Sequence, residues 1–320
     1  MLQTISPVDG SVYVERPLQT RKDVDLALNK AKEAQKEWRR ASLPQRQKII
    51  LKFLDAIVAN AQAIGEELTW QMGRPVSQTP GEILRGFQER VKYMVDLAPR
   101  ALADVIPDDK QAGLKRYVRR EPLGVVAVVA PWNYPYLTSV NTIVPALLTG
   151  SAVLLKHSHQ TPLVADRYVA AFKVAGLPEG VFQRLDLSHE DTEGLIADPR
   201  VDFVNFTGSV SGGHSVQKSI SGKFIGAGLE LGAKDPAYVR ADADMKHTVE
   251  NLVDGSFFNS GQSCCGIKRI YVHEKVYKTF IDAFVDLTHR YKLDNPTDPS
   301  VNLGPMVRTS SAEFVRQQIA

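Results

Sequence analysis

The stretch Gly124-Val125-Val126-Ala127-Val128-Val129-Ala130-Pro131-Trp132-Asn133-Tyr134-Pro135 decides the fold. Its first seven residues are almost wholly apolar and β-branched, the mark of a strand covered on both faces. Pro131 through Pro135 breaks the strand, and a helix is expected to run on to Leu148. Gly150 then turns the chain into a second strand, Ala152-Val153-Leu154-Leu155-Lys156. A helix over 163–175, a strand near 181–187 and a strand over 201–206 follow. Strands alternating with helices predict parallel βαβ units in an open, doubly wound α/β sheet. Ligands of such sheets sit outside the carboxyl ends of the strands.

Upstream, residues 1–20 read as extended chain with a turn at Pro7-Val8-Asp9-Gly10. Val24, Ala27, Leu28, Ala31, Ala34 and Trp38 have helical spacing, and Ser42 with Gln45 forms a capping box for a second helix. That helix carries Ile49, Ile50, Phe53, Leu54 and Ile57, with a stop at Gly73-Arg74-Pro75 soon after Trp70. A further helix is expected over 81–101. Between 104 and 120 the chain changes character, with a turn at Pro107-Asp108-Asp109 and a strand over 114–118. Near the end, a helix over 245–253 leads into a cysteine-bearing turn. After a β-branched run at 269–273, Val276, Phe280, Phe284 and Leu287 stripe one face of a helix.

A chain of 320 residues accommodates two domains, and its net charge of +3 argues against a nucleic-acid or membrane-surface role. No apolar run is long enough to span a bilayer, and no secretion signal opens the chain, which points to the cytoplasm. The two cysteines, Cys264 and Cys265, are adjacent, closer than a disulfide normally spans, so both are expected as free thiols. The seven histidines show no metal-ligand spacing, and no metal site is expected.

Four features carry chemistry. In Phe257-Phe258-Asn259-Ser260-Gly261-Gln262-Ser263-Cys264-Cys265-Gly266 a thiol stands on a turn between regular elements, the setting of a nucleophile or of a small buried hydrophobe. Gly228-Leu229-Glu230-Leu231-Gly232 puts a carboxylate in an apolar run. Burial there would raise its pKa toward that of a general base; the plainer reading is an ion pair with Lys234. Phe206-Thr207-Gly208-Ser209-Val210-Ser211-Gly212-Gly213-His214-Ser215 is either a phosphate-binding turn opening a helix or a plain glycine turn. His214 stands where the triphosphate loop motif needs lysine. Lys156 ends a strand, facing a nucleotide or simply solvated.

Read together and in order, these pieces resemble the aldehyde dehydrogenase superfamily over nearly the whole chain. Glu121-Pro122-Leu123-Gly124-Val125-Val126 with Pro131-Trp132-Asn133-Tyr134-Pro135 resembles the family's first motif, and Phe206-Thr207-Gly208-Ser209 its cofactor turn. Glu230-Leu231-Gly232-Ala233-Lys234 resembles its glutamate motif and Gly261-Gln262-Ser263-Cys264 its cysteine motif. The resemblance implies NAD or NADP as cofactor and a small-molecule aldehyde as substrate. It makes Cys264 the nucleophile, Asn133 an oxyanion donor together with the Cys264 backbone N–H, and Glu230 the base that activates water. It places Pro131, Trp132, Lys156, Ser158, His159, Gly208, Ser209, Gly213 and Leu231 around the cofactor. It also implies a cofactor-binding domain over 1–231, with a bridging hairpin at about 104–120, and the first part of a second α/β, catalytic domain over 232–320.

The sequence departs from the family at two places that matter. Lys156-His157-Ser158-His159 stands where relatives commonly have Lys-Pro-Ser-Glu. That glutamate bonds the ribose hydroxyls and disfavours a 2′-phosphate, so His159 opens the choice between NAD and NADP. Relatives also continue past residue 320 through a Glu-x-x-Phe-Gly-Pro motif and a terminal strand that pairs with a partner subunit. The expectation is therefore a truncated product, weakly active or non-catalytic by itself, with the homo-oligomer of full-length relatives in doubt. A rival reading, a cysteine hydrolase or acyltransferase, needs a histidine base near the thiol, and His273 is the nearest in sequence.

Overall fold

The computed structural model describes residues 1–107 and 113–319. An N-terminal antiparallel hairpin pairs β1 (Leu2–Ile5) with β2 (Val12–Arg16) around the expected Pro7–Gly10 turn. Helix α1 (Arg21–Trp38) is closed at its start by a Thr20/Asp23 capping box and α2 (Leu43–Val58) by the Ser42/Gln45 box. The helix expected to continue to Trp70 instead breaks at Ala59–Asn60, where the Asn60 amide bonds the Ala56 carbonyl at 2.8 Å. A short polar side chain competing for backbone groups is a sufficient cause. α3 (Ala61–Met72) follows and ends on Gly73, left-handed at φ 80°. The helix expected over 81–101 is composite: α4 (Thr79–Gly81), a π turn (Glu82–Phe87) and α5 (Gln88–Ala101).

The strand expected over 114–118 does not form. Among the described residues of this segment only Val105 and Val118 pair, through reciprocal backbone bonds of 2.9 and 2.8 Å. Leu114, Tyr117 and Val118 are exposed, so no neighbouring strand or core face holds an extended conformation there. The turn expected at Pro107-Asp108-Asp109 falls on residues outside the described ones.

The next segment builds the central sheet. β3 (Val125–Ala130), α6 (Pro135–Thr149), β4 (Ala152–His157), α7 (Leu163–Ala175), β5 (Phe182–Arg184), α8 (His189–Ala197), β6 (Phe203–Thr207), α9 (Val210–Ile220) and β7 (Gly226–Glu230) alternate along the chain. All five strands are parallel, in the order β5-β4-β3-β6-β7. Side chains alternate between faces along a strand. Val126, Val128 and Ala130 join one buried cluster with α2, α3, α5, α6 and α7, while Val125 and Ala127 join another with α1, α8 and α9. Burial on both faces explains the unbroken apolar run. Gly124, at φ 119°, precedes it because a Cβ there would lie 2.1 Å from the Asp202 carboxylate, which accepts the Val125 N–H at 2.7 Å. The chain winds outward from β3 through β4 to β5, then returns to the other side of β3 with β6. The crevice between the ends of β3 and β6 is thus a topological switch point.

A smaller βαβ unit follows: β8 (Asp235–Val239), α10 (Met245–Phe257) and β9 (Ile267–Val272), with α11 (Tyr277–Thr288) packed on it. Its own cluster centres on Val239, Val249, Val253 and Phe280. The chain then doubles back, and Val76 N–Pro296 O (2.8 Å), Gln78 Nε2–Asn302 O (2.8 Å) and buried Val307 fasten it to the first helices before α12 (Thr309–Ile319).

Candidate active site

Apart from the cysteine turn, which lies between α10 and β9, the chemical motifs read from the sequence lie at the carboxyl edge of the five-stranded parallel sheet. Pro131, Trp132 and Asn133 follow β3; Lys156 lies near the end of β4, with Ser158 and His159 just beyond it; Gly208 and Ser209 follow β6; Glu230 ends β7 and Leu231 comes next. Parallel strands make this unavoidable, since all their carboxyl ends share one edge.

The turn after β6 is tight. Ser209 caps α9 by accepting the Gly212 N–H at 3.1 Å, and the Gly208 N–H donates to the Glu230 carbonyl at 2.9 Å. Added Cβ atoms at Gly208 and Gly212 would lie 2.6 and 2.4 Å from the Phe206 ring, and one at Gly213 would lie 2.9 Å from Leu231. This turn therefore brings together Gly208, Ser209, Gly213, Glu230 and Leu231 at a helix N-terminus, where backbone N–H groups favour an anion.

Around β4 lie one ammonium, Lys156, and the imidazoles of His159 and His189. Lys156 is only 6% exposed and makes no hydrogen bond among the described residues. Burial pulls its ammonium down to about 8, while the Asp186 carboxylate opposes that pull. A largely buried ammonium near a strand end fits an anionic or polyhydroxyl ligand. The His159 ring lies 6.5 Å from that of His189, the first residue of α8, and His159 Nε2 contacts the Leu187 carbonyl at 2.8 Å. Burial first, and then the Lys156 charge, hold His159 below the ordinary histidine value. With the glycine turn, these residues fit a dinucleotide lying along the edge.

The cysteine turn is built by left-handed backbone. Asn259 and Ser260 have φ of 54° and 56°, and Gly261 has 69°. Glycine takes this conformation freely and asparagine tolerates it, but for serine it is strained. The Ser260 hydroxyl donates to the Gly304 carbonyl at 2.6 Å, and Val307 N–H donates to Gln262 Oε1 at 2.9 Å, so the returning chain clamps the turn. Asn259, 1% exposed, donates from Nδ2 to the carbonyls of Asn133 (3.1 Å) and Gln262 (3.3 Å). Asn133 Nδ2 in turn donates to the Gln262 carbonyl at 3.1 Å. A primary amide carries two N–H donors, so the second stays available beside the thiol loop. Tyr134 stacks on Phe258 with centroids 6.2 Å apart.

Both thiols are exposed and free. Partial burial, with neighbouring Cys265 adding to it, raises the Cys264 thiol above its ordinary value. Glu230 corrects an expectation. It is exposed, so the expected burial is absent, and among the described residues it forms no ion pair with Lys234 either. The reason is topological: Glu230 is the last residue of an edge strand, where the apolar run of β7 gives out. His273 Nδ1 accepts the Lys275 N–H at 3.2 Å, capping a short turn beyond β9. The whole of that strand, about 20 Å at ~3.3 Å per residue, separates it from the cysteine turn.

Sequence reasoning missed Asn259, the residue that joins the two loops. Its signal was the run Asn259-Ser260-Gly261, the residue types that accept left-handed backbone, directly before the cysteine motif. Arg74 and Glu82, which underpin Tyr134, were also missed. Among the described residues no group of three or more His, Cys, Asp or Glu is placed to hold a metal ion, and no helix is long and apolar enough to cross a membrane.

A doubly wound sheet with a glycine turn at its switch point and a cysteine loop bonded across to it defines a dinucleotide-dependent enzyme with a thiol centre. Comparison with known proteins gives the family. The profile of the Aldehyde dehydrogenase family matches residues 1–320. The chain is 32% identical to succinate-semialdehyde dehydrogenase [NADP(+)] 1 of Mycobacterium ulcerans (strain Agy99), covering 99% of this chain and 70% of that one. It is 30% identical to D-glyceraldehyde dehydrogenase (NADP(+)) of Picrophilus torridus, covering 99% and 64%. The crystal structure of an aldehyde dehydrogenase from Brucella melitensis biovar abortus 2308 superposes with a TM-score of 0.95 at 28% identity, covering 99% and 66%. The chain belongs to the aldehyde dehydrogenase family, oxidoreductases that use NAD or NADP, and it spans 64–70% of the length of these relatives.

Proposed function

We propose that this chain oxidises an aldehyde to the carboxylic acid at Cys264, with NADP+ as its preferred acceptor. The observation that carries the reading is the Asn133–Gln262 hydrogen bond of 3.1 Å, with the Asn259 bonds beside it. These tie the loop after β3, at the switch point, to the loop that bears the thiol. The Cys264 thiolate adds to the aldehyde carbon and gives a thiohemiacetal. The remaining Asn133 N–H and the Cys264 backbone N–H hold the oxygen that becomes negative. NADP+, when bound, accepts the hydride whose loss converts the thiohemiacetal to a thioester. Water then cleaves the thioester, releasing the acid and restoring the thiol; overall, aldehyde, NADP+ and water give acid, NADPH and a proton. Glu230, open to solvent, takes the proton from that water.

The glycine turn of Gly208, Ser209 and Gly213 holds the pyrophosphate, with Pro131, Trp132 and Leu231 on the walls. Lys156 and Ser158 lie at the adenosine ribose. The preference for NADP+ rests on the Lys156 ammonium and on His159 standing where relatives commonly have the glutamate that disfavours a 2′-phosphate. Two of the relatives above carry NADP(+) in their names. The same proposal divides the chain into a cofactor unit, 1–231, and a catalytic unit, 232–320. The cysteine hydrolase reading loses its base, because His273 is committed to a turn beyond β9.

The test is NADPH formation by the 320-residue chain with succinic semialdehyde and glyceraldehyde. The expected result is slow turnover, reflecting the raised thiol, and its loss in Cys264→Ala. Turnover that survives Cys264→Ala would refute the reading.

A further inference from the structure

Nothing in the mechanism above uses the buried ion pair between Arg74 and Glu82. Its side chains are 1% and 2% exposed. Two charges so deeply buried are a poor source of stability, since desolvation cancels most of their attraction, so what they hold in place matters more. Glu82 opens the π turn, a distortion often found at functional sites. Its Oε2 meets Arg74 Nη2, while its Oε1 accepts the N–H groups of Tyr136 (2.9 Å) and Leu137 (3.1 Å). Those are the second and third residues of α6, whose own N-cap, Tyr134, supplies no capping side chain. A carboxylate from a distant helix thus does the work of the missing cap and sets a negative charge at the helix N-terminus. The Arg74 guanidinium lies 5.3 Å from the centre of the Tyr134 ring, which stacks on Phe258 of the cysteine turn and whose hydroxyl bonds the Ser263 side chain. Asn133 is the next residue back.

We propose that Arg74 and Glu82 are positioning residues for the reaction: together they fix Tyr134 and the first turn of α6, and so hold the Asn133 amide against the loop that carries Cys264. The proposal rests on the reading of Asn133 as the oxyanion donor. Two reagents separate a positioning role from a merely structural one. Acylation of Cys264 by p-nitrophenyl acetate passes through a tetrahedral oxyanion; alkylation by iodoacetamide displaces iodide and forms none. Both rates are measured on the full chain in a Cys265→Ala background, with thermal unfolding as a check, for Glu82→Gln, Arg74→Lys and Asn133→Ala.

In Glu82→Gln, acylation should fall roughly tenfold, part of what losing a whole oxyanion donor costs, while alkylation stays within about twofold. Arg74→Lys keeps the charge but loses the flat face over Tyr134, and should lose acylation selectively by about threefold. If Glu82→Gln does not fold, Arg74→Lys decides alone. Equal losses in both reactions, or no loss in a folded variant, would overturn the proposal. If Asn133→Ala loses acylation while the other two variants keep it, the positioning role alone falls. If Asn133→Ala keeps it as well, the oxyanion reading falls and takes the positioning role with it.

Discussion

At the scale of single residues, the site combines an exposed thiol with groups that are committed elsewhere. Cys264 is raised, not lowered, by its surroundings, so little of it is thiolate near neutrality and its chemistry should quicken as pH rises. On the proposed reading His159 sets the choice of cofactor. Replacing it with glutamate puts a carboxylate where the 2′-phosphate lies. His159→Glu should therefore move the ratio of kcat/KM for NADP+ over NAD+ toward NAD+ by at least about tenfold, equivalent to ~1.4 kcal/mol. In the unaltered chain the same ratio should grow only as pH falls below the ordinary histidine range, because burial and the Lys156 charge hold the His159 imidazole neutral above it and phosphate binding favours its protonated form. Steady-state kinetics with both cofactors check each point, and an unchanged ratio in His159→Glu would remove His159 from the cofactor site. The placing of the motifs after β3, β4, β6 and β7 was legible in the sequence, because glycines, prolines and strand ends mark those turns. The environment of Glu230 was not. Apolar neighbours predict burial only if another layer covers them, and β7 is an edge strand.

At the scale of elements, the strands and helices of the central sheet were legible because their patterns differ: apolar runs for strands buried on both faces, capping boxes for helix starts. The Ser42 box is formed as expected, with Gln45 N–H to Ser42 Oγ and Ser42 N–H to Gln45 Oε1 at 3.4 and 2.8 Å. Ser42→Ala should lower stability by about 1 kcal/mol, measured by denaturant unfolding, with no effect on Cys264 alkylation. A change below a few tenths would mean the cap is redundant. The strand expected over 114–118 failed for the opposite reason. β-propensity records fit to a half-buried pleated surface, and those side chains have none. The division of α2 from α3 at Asn60 and the π turn at Glu82 were illegible, since both depend on side chains bonding locally or across the fold in ways that helical periodicity does not record.

At the scale of the molecule, two large clusters flank the central sheet and a third, smaller one belongs to the unit after β7. If the cofactor and catalytic units are separate cores, Val253→Ala should weaken the second alone, by roughly 1–3 kcal/mol. Hydrogen exchange would then show faster opening over 235–288 and unchanged protection in β3 and β4. A uniform loss of protection would show one cooperative core, an outcome that the 296–308 return across the first helices makes a real contest.

What the whole arrangement asserts is that Cys264 becomes acylated by an aldehyde once hydride has left for the nicotinamide. The direct measurement is mass spectrometry of the chain quenched in acid after mixing with an aldehyde and NADP+. The account predicts an acyl group on the peptide containing Cys264, dependent on NADP+, forming faster at higher pH and lost in Cys264→Ala. Acylation that persists in Cys264→Ala at Cys265, or no adduct in a chain shown to bind NADP+, would contradict it.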